Sequence, residues 1–190
     1  KINNFDIIDI NWDAIVISDA NVNYPVFSNG TVIGDADTKR GFRLLGASNY
    51  GTFDNVLFRG CGLTGSNSQI DLVAAGDGWR FNCLTVEGNS GEHGVKITAA
   101  TNVRFTNPLF DNSCKDDTSA QLFVNNVETV SLRDPVFINT PDTGPATDFG
   151  ANADNGGSGA GGTYQIFVSG LRDDHGVSAD AELAVIPTEY

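Results

Sequence analysis

The sequence predicts an all-β chain that folds as a solenoid, in which short strands stack rung upon rung. Three observations lead to this prediction. Four segments of eight residues share one pattern, apolar and polar residues alternate at the start of each, and small or polar residues follow each segment. Alternation with a period of two is typical of strands, and Gly, Asn and Asp at this density disfavour helices.

The repeat is found by aligning the four segments without gaps. Apolar residues fall at the first, third and eighth places, and consecutive segments begin 23, 24 and 27 residues apart, which is a spacing typical of repeat proteins. The segments are VLFRGCGL from Val56, WRFNCLTV from Trp79, VRFTNPLF from Val103 and VSLRDPVF from Val130. The alignment predicts that equivalent apolar residues stack inside the solenoid: Val56, Trp79, Val103 and Val130; Phe58, Phe81, Phe105 and Leu132; Leu63, Val86, Phe110 and Phe137.

A second set of short alternating runs lies between these segments. The runs are QIDLVAA at 69–75, GVKITAA at 94–100 and QLFVNNV at 121–127. Each rung therefore has about three strands, separated by turns. Strands this short bury an apolar face only by stacking about 4.8 Å apart into continuous parallel sheets. Pro108 and Pro135 are expected where the chain bends between strands.

The stretch GEHGVKITAATNVRFTNPLFDNS, residues 91–113, resembles the pectate-lyase-like superfamily. A Gly-rich turn, a strand and recurring Asn and Phe positions carry the resemblance, which covers about residues 51–140. It implies a right-handed parallel β-helix with about 23–27 residues per rung, as in viral tailspike and surface proteins and in polysaccharide-active enzymes. It selects no activity, because such repeats satisfy the geometry of the fold.

The repeat divides the chain into four parts. Residues 1–50 are predicted to form irregular N-terminal rungs or a cap, because an open rung exposes unpaired strand edges. Residues 51–140 form the regular rungs, residues 141–163 a Gly/Asn/Asp-rich loop, and residues 164–190 a last strand with a C-terminal arm or cap. Since the chain opens on Lys1 and holds no Met, we expect a processed product or a piece of a longer protein.

Charge restricts the classes of partner. The chain has 24 acidic and 11 basic residues and a net charge of −13, which argues against nucleic acid and anionic membrane surfaces. It has no run of 18 apolar residues that would insert into a membrane. Excess Asp suits turns, solubility in high salt or Ca²⁺ binding. We expect a halophilic or extracellular setting, and the sequon Asn29-Gly30-Thr31 would permit glycosylation there.

Outward positions of the repeat carry the candidate ligand site. The second place of the segments reads Leu57, Arg80, Arg104 and Ser131, which puts Arg80 and Arg104 on adjacent rungs. These two are the ligand-binding candidates, for an anionic sugar or for a carboxylate of a neighbouring subunit. Glu87 and Asp111 should stack about 5 Å apart and could each pair with one of these Arg. The four together are weak candidates for acid/base catalysis, and a solvated salt-bridge ladder is the alternative.

Other polar residues have simpler interpretations. Asn89, Asn112 and Asn139 are predicted to form a structural amide ladder at a turn. Glu92-His93 invites an acid/base interpretation, but a structural turn is favoured. Candidates for Ca²⁺, the one cofactor considered, are Asp116-Asp117 and then Asp173-Asp174, although both resemble ordinary loop acids.

The three cysteines form no zinc motif, because no CxxC pair exists. Cys61 and Cys83 occupy nearly equivalent places in consecutive segments. They are predicted either to stack as buried thiols or to form a disulfide in an exported protein. Cys114 falls in a later turn.

Two classes of function remain open. The favoured one is a non-enzymatic structural or binding module of a virion or cell surface, such as a spike, fibre, capsid decoration or adhesin-like module that engages host glycans. Its expected partners are copies of itself, for example in a trimer, other surface subunits, or a polysaccharide. The alternative is a polysaccharide lyase or glycoside hydrolase, or a fragment of one, which would need paired carboxylates or a Ca²⁺ site with a basic residue. An outer-layer protein of a halophile is a weaker third hypothesis.

Overall fold

A computed structural model describes residues 1–9, 11–19, 22–35, 37–62, 67–88, 92–113, 120–138, 147–148, 165–169 and 172–174. Within these ranges the secondary structure consists of fifteen strands and no helix. The strands are β1 Ile2–Ile8, β2 Asp13–Ile17, β3 Val26–Ile33, β4 Arg40–Leu44, β5 Thr52–Arg59, β6 Ile70–Gly76, β7 Trp79–Asn82, β8 Thr85–Glu87, β9 Val95–Thr106, β10 Leu109–Asp111, β11 Leu122–Arg133, β12 Val136–Ile138, β13 Thr147–Asp148, β14 Gln165–Ser169 and β15 Arg172–Asp174.

The strands pair in parallel and form a β-solenoid, which confirms the predicted fold class. Face A contains β2, β4, β6, the first halves of β9 and β11, and β13. Face B contains the first halves of β3 and β5, then β7, the second halves of β9 and β11, and β14. Face C contains the second halves of β3 and β5, then β8, β10, β12 and β15. Strand β1 pairs along β3 on faces B and C.

Rows of apolar side chains fill the space between the faces. On face B the rings of Phe27, Phe53, Phe81 and Phe105 stack one on the next, with centroid separations of 4.9, 5.5 and 4.6 Å. Face A contributes Ile15, Phe42, Ile70, Val95 and Leu122, and face C contributes Val32, Phe58, Val86, Phe110 and Phe137. Burial of each such side chain contributes about 1.5–3 kcal/mol, so these rows are the main source of stability.

The predicted stacking is confirmed from Trp79 onward. Trp79 pairs with Val103, Val103 pairs with Val130, and Phe110 pairs with Phe137. Phe81, Phe105 and Leu132 form the neighbouring row.

The predicted place of the first segment is wrong. Phe53, not Phe58, pairs with Phe81, while Phe58 pairs with Val86 on face C. The strand serves two faces because Asn55, with a φ of 55°, bends it between them. Opposite Trp79 lies Gly51, where a Cβ would come within 2.3 Å of the indole ring. Leu63 lies outside the described residues.

A column of residues with left-handed backbone marks the corner between faces B and C. They are Asn4, Asn29, Asn55, Cys83, Asn107 and Asp134, with φ between 48° and 55°. Asn and Asp tolerate this conformation better than most side chains. The amide nitrogen of Asn55 donates to the amide oxygen of Asn29 at 3.1 Å, so neighbouring rungs are also joined through side chains. Pro108 and Pro135 follow Asn107 and Asp134, at the bend predicted for them.

Of the amide ladder predicted at the turn after the third apolar position, only Asn112 lies in the described part of the chain. Asn112 has a left-handed φ of 47° at the end of β10, where the equivalent residue one rung below is Gly88. Asn89 and Asn139 lie outside the described residues. A side-chain amide contact that the structure does show joins Asn29 and Asn55 at the corner between faces B and C.

The parts outside the regular rungs are described unequally. Residues 1–50 contain β1 to β4, which pair in the same parallel arrangement as the later strands. Of residues 141–163 only β13 is described, and of residues 164–190 only β14 and β15. In the described part of the chain, no helix has the length and apolar character needed to cross a membrane.

Candidate functional site

Arg80 and Arg104 lie side by side on the outer surface of face B. Arg80 is in β7 and Arg104 in β9, and the two are direct partners in the parallel register. Their neighbours Phe81 and Phe105 point into the core, so alternation turns both guanidinium groups outward. Both residues are exposed. We call this pair the arginine row.

The surroundings of the arginine row are polar and contain little negative charge. At the same outward position, Thr52 lies one rung below Arg80 and Ser131 lies one rung above Arg104. The next outward row, from the lower rung upward, contains Asp54, Asn82, Thr106 and Arg133. Among the described residues neither Arg80 nor Arg104 has an ion pair, whereas Arg133 Nε lies 3.5 Å from Asp134 Oδ2. Two unpaired cations are thus presented by a chain with a net charge of −13.

The predicted stacking of Glu87 and Asp111 is present, but on face C. The corner at Cys83 separates Glu87 from Arg80 along the chain, so the two side chains leave different faces. Glu87 instead accepts from Arg59, whose Nη2 and Nε lie 2.6 and 2.7 Å from Oε2. The proposed pairing of Glu87 with Arg80 is therefore wrong.

Of the Ca²⁺ candidates predicted from the sequence, only Asp173 and Asp174 lie in the described part of the chain. Within the described ranges, no three His, Cys, Asp or Glu side chains form a group that could hold a metal ion. Asp116 and Asp117 lie outside these ranges. Asp173 and Asp174 belong to β15, two strands beyond Asp111 on face C.

Cys61 and Cys83 are free thiols that neither stack nor bridge. The register explains this correction, because the position below Cys83 belongs to Asn55. Cys61 is buried, and burial raises the pKa of its thiol to about 12. Cys83 is exposed at the corner, beside an open groove of about 250 Å³ lined by Asn29, Thr31, Asn55, Leu57 and Thr85 among others. Cys114 lies outside the described residues.

His93 has a structural environment. It is buried, its ring stacks on Phe123 at 4.4 Å, and its Nδ1 accepts a hydrogen bond of 2.9 Å from the backbone N–H of Ala120. An accepting Nδ1 assigns the proton of the neutral ring to Nε2. Glu92 is bound to Lys96, with both carboxylate oxygens 3.0 Å from Nζ. The His93 side chain thus joins two rungs, whereas that of Glu92 is paired with a residue of its own rung.

Face A carries a second charged cluster, whose arginines and aspartates pair with one another. Arg40 lies 3.2 Å from Asp13 and 3.0 Å from Asp71, and Arg43 lies 3.2 Å from Asp13. The side chains of Arg40 and Asp13 are only 14% and 13% exposed. We call these four residues the face A network, and each of its two cations already has a carboxylate partner.

Sequence reasoning missed a pair of stacked tyrosines at the corner between faces A and B. The rings of Tyr24 and Tyr50 are 5.0 Å apart with an interplanar angle of 15°. They are 68% and 45% exposed, which is unusual for rings of this size. The signal was present in the sequence, since Asn23-Tyr24 recurs as Asn49-Tyr50 on the next rung.

Comparison of the chain with protein-family models, with curated proteins and with solved structures finds no match in any of the three. The candidate site therefore stands on the geometry of its own residues.

Proposed function

We propose that this chain is a non-enzymatic binding and structural β-solenoid of a virion or cell surface, which engages acidic glycans through Arg80 and Arg104. One observation carries the proposal. The two guanidinium groups are exposed on adjacent rungs and have no ion pair among the described residues, although the chain as a whole is strongly acidic.

The chemistry of the arginine row supports an anionic ligand. A guanidinium group presents a planar set of donors that matches a carboxylate or sulfate, and such charge-assisted bonds are about twice as strong as neutral ones. Adjacent rungs place the two groups about 4.8 Å apart at the backbone. Thr52, Asn82 and Thr106 add hydroxyl and amide groups beside them. This combination suits a sugar that carries both acid and hydroxyl groups.

The wider setting follows from the architecture. Stacked parallel rungs with aromatic and amide columns support membership of the pectate-lyase-like superfamily, whose surface proteins use such solenoids as rigid projections. We propose an extracellular or virion location and assembly with further copies, as a trimer, or with other surface subunits. Analytical ultracentrifugation over a range of protein concentrations tests the proposed self-assembly. A monomer at all concentrations would contradict the trimer.

Binding to immobilised polygalacturonate and heparin, with neutral dextran as reference, tests the proposal. Arg80→Ala and Arg104→Ala should each weaken binding to the acidic polymers about tenfold, since each removes about 1.4 kcal/mol or more of charge-assisted bonding. Arg59→Ala is the matched control, because it removes the same charge from face C. Its binding should stay within about twofold of the unmodified protein, since loss of a distant exposed charge changes little. An equal loss in the control would show that net charge, and not the arginine row, decides binding.

The same panel separates the enzymatic alternative. The protein is incubated with each polysaccharide with and without Ca²⁺, and reducing ends and unsaturated products are measured. We expect no product. Product formation that is lost in Arg80→Ala or Arg104→Ala would contradict the non-enzymatic proposal and favour a lyase or hydrolase.

A further inference from the structure

The stacked tyrosines occupy backbone positions that disfavour them. Tyr24 and Tyr50 both have a φ of 58°, and on the next rung the equivalent position is Gly78, with a φ of 75°. Left-handed backbone suits Gly and Asn, whereas a bulky side chain there is strained. Strain of this kind at an exposed site is found where a side chain serves a function. Exposed rings gain little from burial, so stability alone does not explain two tyrosines here.

Tyr50 is held in place by the rung above it. Its ring lies over Gly78, where a Cβ would come within 2.5 Å of Cδ1. Its backbone N–H donates to the carbonyl oxygen of Asp77 at 2.6 Å, and the Asp77 carboxylate accepts from Asn102 Nδ2 and Thr101 Oγ1 at 2.7 Å each. The bonds to the carboxylate, that from Asn102 foremost, lower the pKa of Asp77. Tyr24 stacks on this fixed ring.

The outer face of Tyr24 is the free surface of the column. One face of its ring covers Tyr50, and no other aromatic ring of the described residues stacks on the opposite face. A fixed, exposed aromatic face of this kind binds the apolar C–H face of a sugar ring.

The column lies beside the arginine row. Gly78, the top of the column, precedes Arg80 by two residues in the chain. Tyr24 is two rungs below Arg80 and three below Arg104, which corresponds to about 10 and 14 Å along the solenoid. A single sugar cannot contact both Tyr24 and the arginine row, whereas an oligosaccharide can.

We propose that the Tyr24–Tyr50 column is an aromatic subsite, which stacks one sugar ring of an acidic oligosaccharide whose acid groups lie on Arg80 and Arg104. This inference rests on the proposed function and adds its ligand: an acidic glycan several sugars long that runs along the solenoid axis. Short acidic sugars fill the arginine row only. Longer ones gain the stacking contact in addition.

Titration with two series of oligosaccharides tests the inference. The probes are galacturonate oligomers and heparin-derived oligomers, each from the disaccharide to the octasaccharide. Calorimetry measures the dissociation constant for each length. Tyr24→Asn should leave the melting temperature unchanged or raise it, since Asn fits the left-handed backbone. It should weaken binding of the longest oligomers about three- to tenfold, as expected for loss of one stacking contact, and leave the disaccharides unaffected. Tyr24→Phe keeps the ring and should bind like the unmodified protein.

Leu45→Asn is the matched surface control, because Leu45 is also an exposed large side chain but follows directly after β4, the face A strand that ends at Leu44. It should change neither series. If Tyr24→Asn binds all lengths normally while Arg104→Ala does not, the aromatic subsite is overturned and the proposed function stands. If the unmodified protein binds neither series, both are overturned.

Discussion

Arg40 and Arg43 on face A and the arginine row on face B are all outward arginines, and the two pairs are used in opposite ways. On face A, Arg40 and Arg43 share Asp13, and Arg40 also contacts Asp71. On face B, Arg80 and Arg104 project from adjacent strands without an ion pair in the described structure. Both faces are built from parallel strands, and the carboxylates beside the arginines of face A account for the difference.

This difference shows how a solenoid separates stability from binding. The inward rows repeat Phe, Leu, Ile and Val because the core demands them. The outward positions are free to change from rung to rung. Where a charge has an internal partner it joins rungs, and where it has none it is available to a ligand.

The largest expected effect comes from breaking the face A network. Asp13→Ala leaves Arg40 with one partner and Arg43 with none, in a region where both side chains are partly buried. We expect a loss of about 2–3 kcal/mol in the free energy of unfolding, because a partly buried cation without its partner is poorly solvated. Urea unfolding measures it.

Arg80→Ala is the counterpart on face B. It should change the free energy of unfolding by no more than about 0.5 kcal/mol, since no internal contact is lost. Equal destabilisation by the two substitutions would contradict the division between the faces.

Added salt should weaken ligand binding at the arginine row and leave the face A network largely unchanged. At 1 M KCl charges are screened beyond about 3 Å, so binding of acidic polymers at the exposed arginine row should fall about tenfold or more. The destabilisation by Asp13→Ala should persist, because partly buried pairs are screened less.

The melting temperature of the unmodified protein should rise by a few degrees in 1 M KCl, since screening reduces the self-repulsion of 13 net negative charges. A melting temperature independent of KCl would remove the halophilic hypothesis.

The fold was predictable from the sequence wherever one apolar pattern was available. Trp79, Phe81 and Val86 align with later rungs without ambiguity, and their pairing is as expected. In β5 two patterns compete, because Phe53 and Phe58 both lie inward, on different faces. The left-handed turn at Asn55 places Phe53 on face B and Phe58 on face C. An ungapped alignment does not reveal this turn, so it does not show which of the two phenylalanines pairs with Phe81.

The candidate site was predictable only in part. Alternation places Arg80 and Arg104 outward on adjacent rungs, so the sequence was sufficient for them. The partner of Glu87 depends on which face each strand joins after the corner. Because the first segment was aligned in the wrong register, the sequence analysis did not place Arg59 beside Glu87, with which it forms an ion pair. Tyr24 and Tyr50 fall outside the eight-residue segments, and propensity does not favour tyrosine in left-handed backbone.

Nuclear magnetic resonance of the arginine side chains tests the central claim most directly. The Nε–Hε signals are followed while a galacturonate octamer is added to the unmodified protein. We predict that the signals of Arg80 and Arg104 shift together and saturate, while those of Arg40 and Arg43 stay in place because Asp13 and Asp71 already hold them. Unchanged signals for Arg80 and Arg104, or larger shifts at Arg40 and Arg43, would contradict the assignment of face B as the binding surface.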